Sequence, residues 1–168
     1  MKKILLISDT HNYLDPLLIK HIYYSDEIWH AGDIGSNELC LEIQKIKPLR
    51  AVFGNIDDST VRGNYPENLF FTCEGLTVFI THIGGYPGKY PAKIKSELLK
   101  HKPNLFICGH SHILKIIFDK DLNLLHINPG AAGIHGFNKT KTAIKFEIEK
   151  GEIKNLAIIE LGNRTSIN

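Results

Sequence analysis

Lys2-Lys3-Ile4-Leu5-Leu6-Ile7-Ser8-Asp9-Thr10-His11 is the stretch that decides the fold. Four apolar residues follow one another without alternation and then stop at polar ones. A strand with one wet face would alternate, so this run predicts a strand covered on both faces. It ends on an acid and an imidazole two positions apart, at the place where the chain must turn.

Working outward, strand and helix signals alternate. Asp15-Pro16 opens a helix, with Asp as N-cap and Pro in the first turn, running to about Tyr24. Glu27 to His30 reads as a short strand. Ser36 can cap a helix that carries Leu39, Ile43 and Ile46 at helical spacing, and Pro48 stops it. Ala51 to Phe53 is a third strand, followed by a Gly-, Asn- and Pro-rich connection from Gly54 to Asn68. Strands at about Leu69–Cys73 and Thr77–Thr81 come next, then a helix opened by Pro91 and a buried strand at Asn104–Cys108. The rest changes character. Ile113–Phe118, Leu122–Ile127, Thr142–Ile148 and Ile153–Glu160 read as successive strands, with Lys120-Asp121 and Lys150-Gly151 at turns. Alternation followed by hairpins predicts an α/β (α+β) domain, two packed sheets with helices outside.

Composition sets the limits. The chain has 168 residues, 43% hydrophobic and 23% charged, with a net charge of +2. One domain spanning 1–168 can bury its own core at that length, and no repeat or low-complexity linker divides it. The near-neutral charge, without a basic stripe interleaved with aromatics, speaks against an extended nucleic-acid track. Cys40, Cys73 and Cys108 are odd in number and widely spaced, which fits neither a disulfide framework nor a zinc knot. Ile4–Ile7 is too short for a signal peptide, and no later run is long enough to cross a membrane. A reducing cytoplasm is the expected location. Tyr23, Tyr24 and Trp29 are candidates for a homo-oligomer contact, with a core role as the alternative.

The chemistry stands at the strand ends. Asp9-Thr10-His11, Gly32-Asp33, Gly54-Asn55-Ile56-Asp57, Thr81-His82 and Gly109-His110-Ser111-His112 each follow an apolar run. Alone, each is commonplace, since Gly-Asp and Gly-Asn are ordinary turns. Together they bring carboxylate, imidazole and amide oxygen to one edge of a sheet, where loops converge. Asp9, His11, Asp33, Asn55, His82, His110 and His112 are the candidate ligands. Without a thiolate the set suits Mn²⁺, Fe²⁺ or Zn²⁺, and seven donors exceed what one tetrahedral ion takes. They suffice for two ions if one carboxylate is shared, and Asp33 is the candidate bridge.

The ordered set Asp-x-His, Gly-Asp, Gly-Asn-x-Asp, Thr-His, Gly-His-x-His resembles the calcineurin-like metallophosphoesterase superfamily. The short length and Asn128-Pro129-Gly130-Ala131 resemble its small phosphodiesterases. The resemblance implies a four-layer α-β-β-α sandwich of two mixed sheets. It implies that Asp9, His11 and His112 hold one divalent ion, that Asn55, His82 and His110 hold another, and that Asp33 bridges them. Mn²⁺ is the expected metal, with Ni²⁺, Fe²⁺ or Zn²⁺ as alternatives. The implied activity is hydrolysis of a small phosphodiester by a hydroxide held between the ions. Catalysis is assigned to Asp33, Asn55, Asp57 and His110. Many members carry His after Gly-Asn to assist the leaving group, but here the position is Ile56. Asp57 is then read as a positioning or leaving-group residue, or as a plain turn aspartate.

Two loop features and four histidines are left open. Asn12 reads as a phosphate contact or an ordinary loop residue. The stretch Asn128–Lys141, with His135, Asn138, Lys139 and Lys141, reads as a substrate-selecting loop or a solvated turn. His21, His30, His101 and His126 lack motif partners and read as surface or packing residues. The alternatives to a diesterase are a phosphomonoesterase and a non-catalytic binding scaffold on the same fold.

Overall fold

The computed structural model describes residues 1–164. β1 (Lys2–Ile7) lies at the centre of one sheet, parallel to β2 (Glu27–His30) and antiparallel to β9 (Thr140–Glu149). β3 (Leu49–Ala51) and β10 (Glu152–Asn163) complete the order β10-β9-β1-β2-β3. The second sheet joins β4 (Asn68–Cys73), β5 (Leu76–Thr81), β6 (Leu105–Ile107), β8 (Leu124–Pro129) and β7 (Leu114–Asp119), in that order. β5, β6 and β8 run parallel, with β4 and β7 antiparallel at the edges. Both sheets are mixed.

The apolar run of β1 divides by the period of a strand. Ile4 and Leu6 point between the sheets, where they join Trp29 and Phe146 against Val78, Ile80, Ile107 and Ile127. Leu5 and Ile7 point outward, onto Leu18 and Ile22 of α1 (Pro16–Tyr24) and Leu39 and Ile43 of α2 (Asn37–Gln44). Each such side chain contributes about 1.5–3 kcal/mol when fully buried. On the far side, Phe79 and Phe106 pack on Ile94 and Leu98 of α4 (Ala92–His101). The layers are therefore α-β-β-α, as expected. No helix among the described residues is long and apolar enough to cross a membrane.

Helix starts follow the sequence signals. Asp15 accepts from Leu17 N–H with Pro16 in the first turn, and Ser36 Oγ accepts from Leu39 N–H. α2 ends at Gln44, so Ile46 lies beyond it, half-buried against the same core. The third strand ends at Ala51 rather than Phe53, because Phe53 N–H turns to Pro66 O instead of the sheet. A helix also forms where a loop was expected. In α3 (Ser59–Asn64) Asp58 accepts from the N–H groups of Thr60 and Val61, and only Val61 is buried. Trp29 is core, edge-on to Phe71 and Phe146, and so is not a surface contact. Tyr23 and Tyr24 are exposed.

Candidate metal centre

The loops that leave β1, β2, β3, β5 and β6 meet at one edge of the sandwich. Gly54 shows what this demands, since a Cβ there would overlap the Asp33 carboxylate. A Cβ at Gly109 would strike Ser8 Oγ and sit 2.8 Å from Asp9 Oδ2. A glycine before a ligand thus lets one loop's backbone close on another loop's side chain. Backbone strain collects here as well. Asp9, His11, Asp33, His110 and His112 all have left-handed φ, between 46° and 67°. For non-glycine residues this costs about 1–3 kcal/mol each and persists where the surroundings enforce it.

The seven candidate ligands come together in two groups. Asp9, His11, Asp33 and His112 place one donor atom each within 4.8 Å of one another, and so do Asp33, His82 and His110. Asp33 is common to both. Asn55 joins the second group, its Oδ1 3.1 Å from His82 Nε2.

Asp9, Asp33 and His82 are aimed from behind. Asp9 Oδ2 accepts from Ser8 Oγ at 2.6 Å and from His110 N–H at 3.2 Å. That leaves Asp9 Oδ1 buried without a hydrogen-bond partner, 3.1 Å from His112 Nε2. His11 Nε2 is likewise buried and unpartnered, 3.7 Å from Asp33 Oδ2. His82 Nδ1 lies 2.8 Å from the Ala31 carbonyl, which can only accept, so Nδ1 carries the proton. The Nε2 lone pair then faces Asp33 Oδ1 at 3.2 Å and Asn55 Oδ1 at 3.1 Å. Three acceptors pointed at one spot repel unless a cation or a proton lies between them. Orphaned donor atoms, an oxygen- and imidazole-rich set and the carbonyl-fixed tautomer of His82 all fit divalent ions.

The close packing of these groups also shifts their pKa values. Burial alone would lower His82, but the bond to Asp33 and the charges of Asp9 and Asp33 outweigh it and raise its pKa. Burial would raise the Asp33 carboxyl, but His82 and the Ile56 N–H bring it below the usual range. His11 is held low, chiefly by burial.

Asp57 is turned away from this cluster. Its oxygens accept from the N–H groups of Gly54 (2.7 Å), Gly35 (2.8 Å) and Ile34 (3.1 Å). It ties the Gly-Asp loop to the Gly-Asn loop. Ile56 is exposed. Asn12 is tied through Oδ1 to Ser36 Oγ. Lys141 does not face the centre, because it is buried at the start of β9 with its Nζ 2.5 Å from Asp15 Oδ2. His135 does approach, its ring 5.5 Å from that of His11. Asn138 Nδ2 donates to His112 O at 2.5 Å.

Several contributors stand outside the five ligand motifs. His30 is fully buried. Its Nδ1 accepts from Gly32 N–H, so Nε2–H donates to Thr10 Oγ1 at 2.8 Å, and Thr10 donates to Ile34 O. Burial holds its pKa low and keeps the ring neutral, as an accepting Nδ1 requires. Arg62 donates to the carbonyls of Gly54, Asn55 and Asp57. Arg164 donates to those of Ala131, Gly133 and Asn138. Asn128 Nδ2 donates to Gly109 O at 2.8 Å and steadies the Gly-His-Ser-His loop. Arginine to carbonyl contacts leave no spacing signature, which is why sequence reading missed Arg62 and Arg164.

Comparison with known proteins bears on the family and the fold. The sequence model of the calcineurin-like phosphoesterase superfamily domain matches residues 1–151. A probable metallophosphoesterase of Mycoplasma pneumoniae is 28% identical over 163 residues, 93% of this chain and 96% of that protein. A solved structure described as a novel archaeal phosphodiesterase has a TM-score of 0.73 at 22% identity, covering 94% of this chain and 99% of that one. Vps29 of Entamoeba histolytica, solved with Zn²⁺, has a TM-score of 0.71 at 14% identity, covering 95% and 99%.

Proposed function

The chain belongs to the calcineurin-like phosphoesterase superfamily, and from that premise we propose that it is a dimetal-dependent phosphodiesterase acting on small phosphodiesters. The observation that carries the reading is the sharing of Asp33 between two ligand groups, with Asp9 Oδ1 and His11 Nε2 buried and unpartnered beside it. In this reading Asp9, His11 and His112 hold one ion, Asn55, His82 and His110 hold the second, and Asp33 holds both. Two such ions supply an acidified water and stabilise charge on phosphoryl oxygens.

The chain's own part is positioning. Ala31 O and Asp33 fix the His82 ring, and Ser8 and the His110 N–H fix Asp9. Asp57, its oxygens occupied by backbone N–H groups, acts by holding two ligand loops in register. That leaves no side chain at position 56 to protonate the leaving group, so esters of acidic alcohols are the favoured substrates. Mn²⁺ suits the thiolate-free donor set, with Ni²⁺, Fe²⁺ or Zn²⁺ as alternatives. Three buried, unpaired cysteines suit a reducing cytoplasm.

A scaffold on the same fold is the rival, raised by the likeness to Vps29. Every ligand position here holds a competent donor, which favours catalysis. The test is hydrolysis of bis-p-nitrophenyl phosphate by chelator-stripped protein given Mn²⁺, beside mono-p-nitrophenyl phosphate and the Asp33→Asn variant. Metal-dependent turnover of the diester, lost on Asp33→Asn, supports the reading. Faster turnover of the monoester would make it a monoesterase. No turnover with any of the four metals, despite two bound ions per chain, would leave the scaffold.

A further inference from the structure

A cavity of about 210 Å³ adjoins His110, which alone among the seven candidate ligands lines it. Its rim is apolar yet exposed, formed by Ile83, Tyr86 and Ile113. Apolar side chains left open around a concavity mark a place where something docks. Lys115 also lines it, but its Nζ sits 4.2 Å from the centre of the Tyr86 ring, so the cation braces one wall.

The buried lining includes His126. It has no exposed surface, and its Nδ1 has no hydrogen-bond partner. The other ring nitrogen meets only Cys108 Sγ, at 4.0 Å. Neither Cys108 nor Asn128 is free to serve Nδ1, since Cys108 donates to Gly85 O and Asn128 bonds Gly109 O, Ser111 Oγ and Gly130 N–H. Buried polar atoms are nearly always satisfied, so an unpartnered nitrogen on a residue lining the cavity points to a group that reaches it, and because the ring has no open surface, the cavity wall must give for that contact to form. Burial keeps His126 neutral, its pKa pushed down to about 4, so the ring offers one donor and one acceptor.

A cavity of about 150 Å³ is enough to hold a benzene ring, so this one has room for a flat ring. We propose that this cavity is the subsite for one ester arm of the substrate, and that the arm it takes is a single flat heteroaromatic ring, packed on Tyr86 and hydrogen-bonded at its edge to His126. The assignment rests on the phosphodiesterase reading above and adds its substrate class. His126 is here a specificity residue and has no part in the bond that breaks.

The test uses two diesters with one leaving group, thymidine 5′-p-nitrophenyl phosphate and ethyl p-nitrophenyl phosphate, with the Mn²⁺-loaded protein. Expected is a kcat/KM preference for the thymidine ester on the order of tenfold, the worth of one such bond plus ring packing. His126→Phe, which keeps a ring but removes both nitrogens, should erase most of it. Tyr86→Ala, at an exposed position where folding is not at stake, should reduce it too, with the ethyl ester unaffected. Equal kcat/KM for the two esters, or a preference that neither variant moves, would overturn the subsite. Failure to hydrolyse either ester would overturn the diesterase reading instead. Thymidine titrated into the metal-free protein then decides the subsite alone: a shift of the His126 ring ¹⁵N resonances upholds it, and an unchanged spectrum leaves the cavity to water.

Discussion

Asp33 and His82 meet across the two sheets, Oδ1 of the one 3.2 Å from Nε2 of the other. Asp33 follows β2 of the first sheet and His82 follows β5 of the second. Ions bound between them should therefore stabilise the sandwich as a whole. Mn²⁺ at 100 times its Kd should add about 2.7 kcal/mol to unfolding free energy. Asp33→Asn removes the shared charge and should abolish most of that gain, bring bound metal below two ions per chain and cut turnover about 100-fold or more. Calorimetric melts with and without metal read the first effect, and metal analysis reads the second.

Asp57 makes its bonds to Gly54, Gly35 and Ile34 as an acceptor only. Asp57→Ala strands three N–H groups, and unsatisfied groups cost about 1–3 kcal/mol each, less where water enters. A loss of about 2–4 kcal/mol in urea unfolding is expected. A positioning role also fixes what Asp57→Asn should do. Metal affinity and kcat fall, while the pH–rate profile keeps both its limbs. Disappearance of a limb would instead make Asp57 the proton donor.

Two glycines should respond in opposite directions. Gly54→Ala drives a methyl group into the Asp33 carboxylate and should weaken metal binding about 10- to 100-fold, the range for losing a group that orients a ligand. Gly63 lies in α3 with nothing within 4 Å of its would-be Cβ. Gly63→Ala should stabilise the protein by about 0.5–1 kcal/mol, as a helical alanine does, without touching activity. Metal titration and urea unfolding of both variants check the contrast.

The same contrast shows what was legible in the sequence. Ligands such as Asp33 and Asn55 were readable because close approach forces a glycine before them, and a forced glycine is visible. Strands such as β1 were readable because burial on both faces leaves an unbroken apolar run. α3 was not, because one buried residue, Val61, gives no periodicity and its cap, Asp58, sits among other turn-forming residues. The return of β9 and β10 to the side of β1 is a long-range pairing that no local pattern encodes. The place of Lys141 was not legible because a lysine near a glycine-rich loop looks free, whereas its partner Asp15 lies at the far end of the chain.

His126 should also shape acid stability. Its pKa is about 4 in the fold, lowered first by burial and then by Lys115, with Asp119 opposing. In the unfolded chain it is about 6.5. Above pH 6.5 the ring is neutral in both states and costs nothing. As pH falls from about 6.5 to about 4 the unfolded chain takes a proton that the folded one refuses, so stability drops, by up to about 3 kcal/mol, and then levels. His126→Phe should flatten that segment of the pH–stability curve measured by urea unfolding. An unchanged slope would mean that the ring is charged in the fold.

Ile56 offers the last prediction. Its backbone N–H bonds Asp33 Oδ1 at 3.1 Å, which fixes the residue beside the centre, while its side chain is exposed. A different side chain can therefore replace it without disturbing the core. With no acid at this position, turnover should fall steeply as the leaving alcohol becomes more basic. Ile56→His places an imidazole there, with a pKa near neutrality. A well-placed general acid contributes about 10²–10⁴-fold, so an unoptimised one should give about tenfold for alkyl esters and little for p-nitrophenyl esters, whose leaving group needs no proton. Plotting kcat against leaving-group pKa for both proteins reads this directly. A shallower slope in the variant is the expected outcome, and parallel lines would place the leaving group away from residue 56.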